Sequence, residues 1–266
     1  MSEWKNKTAL ITGASYGIGE AFARRLAADG AGLVITARSR DRLDKLAAQL
    51  RAAHGVNVMV IEADLAQPQA ARQIFAATET AGLQVDLLIN NAGFGLAGDF
   101  AAQPLPRLTE MIQVNVTALV ELTHLYLPQM LARNDGAIVN LASTASFQAV
   151  PYFAVYAATK SFILIFSESL WGEVGDTNVR VLAVCPGATE THFQEVAGTT
   201  TRKFRANTET PEQVVGNSLR ALARGRSHVV SGLVNRAQVE LERLLPRDTT
   251  TRMAERLFRQ FSAKEK

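Results

Sequence analysis

The chain has 266 residues, 47% hydrophobic and 20% charged, which suits one large α/β domain with a substantial core. A net charge of +3, with no basic block interleaved with aromatics, gives no support for a nucleic-acid partner. The single cysteine, Cys185, excludes an intrachain disulfide, and the scattered His54, His124, His192 and His228 show no metal-ligand spacing.

Residues Met1 to Lys7 contain no apolar h-region, and no apolar run approaches the roughly 20 residues that span a bilayer. A soluble, cytoplasmic protein is expected. Seven short apolar runs then read as strands: Thr8–Thr12, Gly32–Ala37, Val58–Ile61, Leu87–Ile89, Ala137–Leu141, Val179–Cys185 and His228–Val230. They are continuously apolar, as a parallel sheet covered on both faces requires. Amphipathic stretches between them predict helices. Glu20–Ala28 stops at Gly30, Asp41–Ala53 carries Leu43, Leu46 and Leu50 on one stripe, and Pro68–Ala81 opens on proline. Two longer helices are predicted over Leu105–Leu131 and Tyr152–Glu173. This alternation implies right-handed crossovers and a doubly wound, Rossmann-type α/β fold, with a seven-stranded parallel sheet and helices on both faces.

Directly after the first strand, Gly13-Ala14-Ser15-Tyr16-Gly17-Ile18-Gly19 leads into a helix. Glycines there permit a tight turn and let backbone N–H groups approach a pyrophosphate at the helix N-terminus. A second cluster is Tyr156-Ala157-Ala158-Thr159-Lys160, with Ser143 upstream. On a helix, positions i and i+4 share a face, so the phenol and the ammonium point the same way. A phenol has a reference pKa of about 10, and a cation one turn away is expected to bring it down toward working range. Ser143 supplies a further hydroxyl for a reacting oxygen. Together these groups outline hydride-transfer chemistry at a C–O bond beside a nicotinamide.

In order and spacing, Thr12-Gly13-x-x-x-Gly17-x-Gly19, Asp64-Leu65, Asn90-Asn91-Ala92-Gly93, Asn115, Ser143, Tyr156, Lys160 and Pro186-Gly187 resemble a short-chain dehydrogenase/reductase of the single-domain type, over roughly residues 5 to 232. The segment from Tyr156 through Thr191 resembles the ketoacyl-reductase and hydroxysteroid-dehydrogenase side of that family. The resemblance implies that Asp64 and Leu65 contact the adenine, with a helix N-cap as the plainer reading of Asp64. It further implies that Asn91, Ala92 and Gly93 pass close to the cofactor ribose. Lys160 would hold the nicotinamide ribose, Asn115 would support a proton relay, and Thr189 and Thr191 would meet the carboxamide.

The end of the second strand carries Ala37, not the acid that binds a ribose 2′-OH, and is followed by Arg38 and Ser39. NADP(H) is therefore favoured over NAD(H), with Ser15 and Ser39 as further donors, although Tyr16 stands where many NADP-preferring relatives carry a basic residue. Phe94, Leu96, Phe147, Val150, Phe153, Phe193 and Val196 are the expected walls of an apolar substrate pocket. The reading is an NADP(H)-dependent oxidoreductase that reduces a hydrophobic ketone or aldehyde, 3-oxoacyl or steroid-like, or oxidises the corresponding alcohol. The alternative is a non-enzymatic NADP(H)-binding redox sensor.

Residues 1–232 are expected to form the catalytic and dinucleotide-binding domain, and 233–266 a helical tail on that domain or on a partner. In the tail Val239, Leu241, Leu244 and Leu245 precede Pro246, and Met253, Ala254, Leu257, Phe258 and Phe261 recur at helical spacing among arginines. Such a stripe can lie on an anionic membrane, but it more commonly packs against protein. A homodimer or homotetramer is expected, the dimer through the two long helices.

Overall fold

The computed structural model describes residues 2–189 and 208–262. Its seven strands are β1 (Thr8–Thr12), β2 (Gly32–Ala37), β3 (Val58–Glu62), β4 (Leu87–Asn90), β5 (Gly136–Leu141), β6 (Val179–Cys185) and β7 (His228–Val230). All neighbours are parallel, in the order β3-β2-β1-β4-β5-β6-β7. Successive side chains of a strand leave on opposite faces. Ala9 and Ile11 therefore enter one core and Leu10 the other, which is why the strands are apolar throughout.

The first face is covered by α1 (Gly17–Ala28), α2 (Arg40–His54) and α7 (Pro211–Ala223). The second carries α3 (Ala70–Thr80), α5 (Ala118–Ala132) and α6 (Ala154–Glu173). The helix expected from Pro68 begins two residues later, at Ala70. The segment expected as one helix from Leu105 is divided into α4 (Leu105–Ile112), a π-helical turn at Gln113–Thr117, and α5. Asn115 occupies that turn, and its side chain takes up backbone groups of a neighbouring segment, as described below. A π-turn inside an α-helix is often a functional feature.

The strand order reverses between β1 and β4, which opens a crevice at the carboxyl ends of these strands. Beneath it lies a buried polar net. The Asn90 amide donates to Thr123 Oγ1 (3.2 Å) and Asn140 Oδ1 (2.9 Å), and Asn140 donates to Ser167 Oγ (2.9 Å). Adjacent strand ends are thereby tied to α5 and α6, the helices that carry the site. After β7 the chain forms α8 (Leu233–Glu242) and α9 (Arg247–Phe258). Tyr152 Oη donates to Glu255 Oε1 (3.1 Å), and Ser262 Oγ bonds the Asp99 carboxylate (3.1 Å), so this tail is fastened across the crevice. No helix among the described residues is long and apolar enough to cross a membrane.

Candidate active site

One cavity of about 1530 Å³ runs along the carboxyl edge of the sheet. At one end is the glycine loop. Gly13 has φ +65°, and a Cβ there would come within 2.9 Å of Ala92 Cα. Only glycine meets both demands. The loop is braced from β4: Asn91 Nδ2 donates to the carbonyls of Thr12 (2.8 Å) and Gly13 (3.1 Å), while Thr12 Oγ1 accepts from the N–H groups of Asn91 and Ala92, both at 3.0 Å. Thr12 is thus the hinge between loop and strand end, a role its place at the end of an apolar strand did not suggest.

The loop delivers Ser15, Tyr16, Gly17 and Ile18 to the cavity at the N-terminus of α1, a ready site for phosphate. Beside it Ala37, Arg38 and Ser39 line the cavity at the end of β2. Arg40 is tied to Asp44 (2.8 Å) as a solvated charge at the helix start. Arg42 behaves differently. Its guanidinium lies 4.0 Å from the centre of the Tyr16 ring and it lines the cavity. A cation thus stands over Tyr16, where relatives were expected to place a basic side chain directly. Asp64 and Leu65 line the next stretch of wall, and Asp64 Oδ1 also accepts the Ala66 N–H (3.1 Å), so the plainer capping role holds alongside.

Further along are Ser143, Tyr156 and Lys160, with Ala92, Gly93, Pro186, Gly187 and Thr189 around them. Ser143 follows β5 and caps a short turn through Ala145 N–H (3.1 Å). Its hydroxyl lies near enough to that of Tyr156 to ease the phenol's pKa down. Lys160 Nζ donates to the Leu141 carbonyl (2.6 Å) and lies 5.8 Å from the Tyr156 ring centre.

The electrostatics correct one expectation. Burial pushes the Tyr156 phenol up to about 12, and the Ser143 hydrogen bond opposes this only in part. Burial also brings Lys160 down to about 8, with the Cys185 sulfur pulling it back up. Burial is the largest influence on the phenol, which is held protonated above its ordinary value, not eased toward phenolate. Burial pushes the Cys185 thiol up as well, in keeping with an inert core residue.

Asn115 is buried and its bonds are all internal: Oδ1 accepts from Phe94 N–H (3.0 Å), and Nδ2 donates to the Phe94 carbonyl (3.0 Å) and Thr159 Oγ1 (3.1 Å). Both amide hydrogens are committed, so the side chain is a brace that holds Gly93 and Phe94 against α6.

Of the expected pocket walls, Phe94, Val150 and Phe153 line the cavity. Leu96 does not, because the chain beyond Phe94 is drawn off to the Tyr152 carbonyl at Gly98 (2.9 Å). Phe147 does not either. It packs with Leu119, Ile163 and Cys185 beside His228, so the core reading wins there. Thr191, Phe193 and Val196 lie outside the described residues, as does His192. The larger omission was the tail. Phe258 and Phe261 stand with ring centres 5.6 Å from Phe153, itself 6.3 Å from Tyr156, and Met253 and Leu257 extend the same wall. Their helical spacing was visible in the sequence; the surface they cover was not. Among the described residues no cluster of His, Cys, Asp and Glu is placed to hold a metal.

Residues 7–202 match the profile of the family described as short chain dehydrogenase. A ketoacyl reductase of Nostoc, HetN, is 31% identical over 230 residues, covering 86% of this chain and 80% of that protein. A solved structure of 7beta-hydroxysteroid dehydrogenase, studied for stereoselectivity, has a TM-score of 0.87 at 30% identity, over 95% of this chain and 98% of that one. A short-chain dehydrogenase from Sphingobium yanoikuyae in complex with NADPH gives 0.79 at 32%, over 90% and 96%. One from Burkholderia phymatum in complex with NAD gives 0.80 at 26%, over 91% and 95%.

Proposed function

This chain belongs to the short-chain dehydrogenase/reductase family, an oxidoreductase acting at CH–OH and C=O groups with a nicotinamide cofactor, and we propose that it reduces an apolar ketone with NADPH. The observation that carries the reading is the paired hydroxyls of Ser143 and Tyr156 in the same cavity as the glycine loop.

Glycines without room for a Cβ, a helix N-terminus and the Arg38-Ser39 corner fit a phosphorylated dinucleotide. Bound there, NADPH would supply the hydride. The chain does the rest. The Ser143 and Tyr156 hydroxyls both donate to the carbonyl oxygen, and as negative charge builds on that atom Tyr156 gives up its proton. A phenol held near 12 is loaded for this direction. The Lys160 ammonium spends one N–H on the Leu141 carbonyl and keeps two for the ribose hydroxyls. Phe94, Val150, Phe153 and the tail rings exclude water and accept an apolar body. The family's own range includes ketoacyl and hydroxysteroid chemistry, and both kinds of substrate suit such walls.

A panel of acyl and steroid ketones, followed by loss of NADPH absorbance, tests the reading; failure with every carbonyl would favour the redox-sensor alternative. Cofactor choice is checked by dissociation constants. NADPH is expected to bind at least about tenfold tighter than NADH, and Arg38→Ala to remove most of that margin, since a charge-assisted pair contributes roughly 1.5–3 kcal/mol. Equal affinities in the unmodified protein would end the NADP(H) assignment. We also propose a cytoplasmic homo-oligomer joined through α4 to α6, where Phe162, Ile165 and Trp171 are exposed; a monomeric mass by light scattering would refute the assembly.

A further inference from the structure

Val234, Leu245, Met253 and Leu257 of the tail line the cavity and are at the same time exposed, so they mark its mouth. The apolar surface continues outward from them. α8 turns Val239 inward, and Leu241 lies two helical turns beyond Val234 on its outer face. Leu233 opens the helix and Leu244 follows in the turn that ends it, and at 86% and 80% exposure neither is covered by its own chain. Arginines flank this surface. Arg236 stands one turn from Leu233, and Arg252 and Arg256 adjoin Met253 and Leu257. These three are exposed and make no ion pair among the described residues, whereas Arg243 and Arg259 are tied to Glu240 (3.6 Å) and Glu255 (2.9 Å). Large apolar side chains left contiguous at a surface mark a contact site. A protein partner seated here would close the mouth, and a second copy would also set the same arginines against each other. A lipid surface leaves the mouth in a medium where apolar molecules dissolve, and its anionic headgroups pair with the arginines.

We infer that the outer face of α8, together with the mouth residues of α9, docks this protein on the surface of an anionic lipid bilayer, with the cavity mouth toward the lipid and no segment of the tail crossing it. The docking itself does not depend on the reaction. Its consequence, that an apolar ketone reaches Ser143 and Tyr156 from the lipid and not from water, rests on the proposed ketone reduction.

Co-sedimentation of the full chain, without substrate, with phosphatidylcholine vesicles containing about one-third phosphatidylglycerol tests the docking. The unmodified protein is expected to bind these vesicles at least about tenfold more tightly than vesicles of phosphatidylcholine alone, because several arginines near the surface act together. Leu241→Glu combined with Leu244→Glu, at exposed positions outside the cavity, is expected to weaken binding to the anionic vesicles by about tenfold or more without lowering the melting temperature. Arg252→Gln combined with Arg256→Gln is expected to weaken it severalfold and to flatten its dependence on salt. Absence of binding by the unmodified protein overturns the inference, as does equal binding by the leucine pair variant. If instead the leucine pair variant changes the mass seen by light scattering while vesicles are ignored, a second copy covers the face; if neither binding nor mass changes, the chain covers it itself, and in both cases the lipid assignment falls. Vesicle binding as expected, with no carbonyl reduced, would end the proposed reduction and leave the docking in place.

Discussion

Tyr156→Phe is expected to lower turnover by about 10²–10⁴-fold while leaving the NADPH dissociation constant near that of the unmodified enzyme. The substitution removes one oxygen. That oxygen faces Ser143, and the ring keeps its edge contact with Phe153 and its place on the cavity wall. Fold and cofactor cradle are therefore preserved while the proton donor is lost. The phenol, held near 12, is fully protonated at neutral pH, so it is Tyr156 that carries the proton the reduction needs. Ser143→Ala should cost less, roughly tenfold to a hundredfold, because it removes one hydrogen bond to the developing charge and not the proton itself. Single-turnover rates, with NADPH binding followed by fluorescence, separate the two. Turnover within a few fold of normal in Tyr156→Phe would remove the role assigned to this residue.

The parts of this site that were legible in the sequence are those set by local backbone demands. A glycine that must sit at φ +65° against Ala92, and a Tyr and Lys one helical turn apart, leave marks that survive without coordinates. Strand positions were legible for a related reason: a sheet buried on both faces needs unbroken apolar runs, and β2 and β6 begin and end where those runs do. What escaped was set by tertiary contact. Leu96 and Phe147 are as apolar as Phe94 and Phe153, and only the path of the chain beyond each strand end decides which of them meet the cavity. Arg42 resembles any arginine in a first helical turn until its guanidinium is found over Tyr16. The helix α7 did leave a local mark, the capping box of Thr210 and Gln213 around Pro211, which went unread. The direction of the Tyr156 pKa shift was misjudged because proximity of a cation is visible in sequence and the dryness of a site is not. Burial was the larger effect on both groups.

Lys160 provides the second large effect. Lys160→Ala is expected to cost turnover on the scale of Tyr156→Phe, because it removes the ammonium proposed to orient the ribose, a group 5.8 Å from the Tyr156 ring centre. Its titration gives the loss a signature. Burial brings this amine from an ordinary 10.5 down to about 8, so it carries its charge below pH 8 and loses it above. In the reductive direction kcat/KM for NADPH, which reports the free enzyme, should be level below about pH 8 and fall by roughly tenfold per unit beyond it. Tyr156, held near 12, stays protonated across that range and does not contribute the fall. In Lys160→Ala the residual rate should show no inflection near 8; one that persisted there would belong to another group. The same shift sets a stability trend of definite sign. Between pH 8 and 10.5 the unfolded chain holds a proton on this lysine that the folded chain has released, so stability contributed by this group rises with pH across that interval. Folded below pH 8, the protein bears the full cost of a buried ammonium. Thermal melts of the unmodified protein and of Lys160→Ala, taken without cofactor from pH 7 to 10, should converge or diverge accordingly: the difference in melting temperature should move in favour of the unmodified protein as pH rises, and a constant difference would mean that the ammonium is not buried in solution.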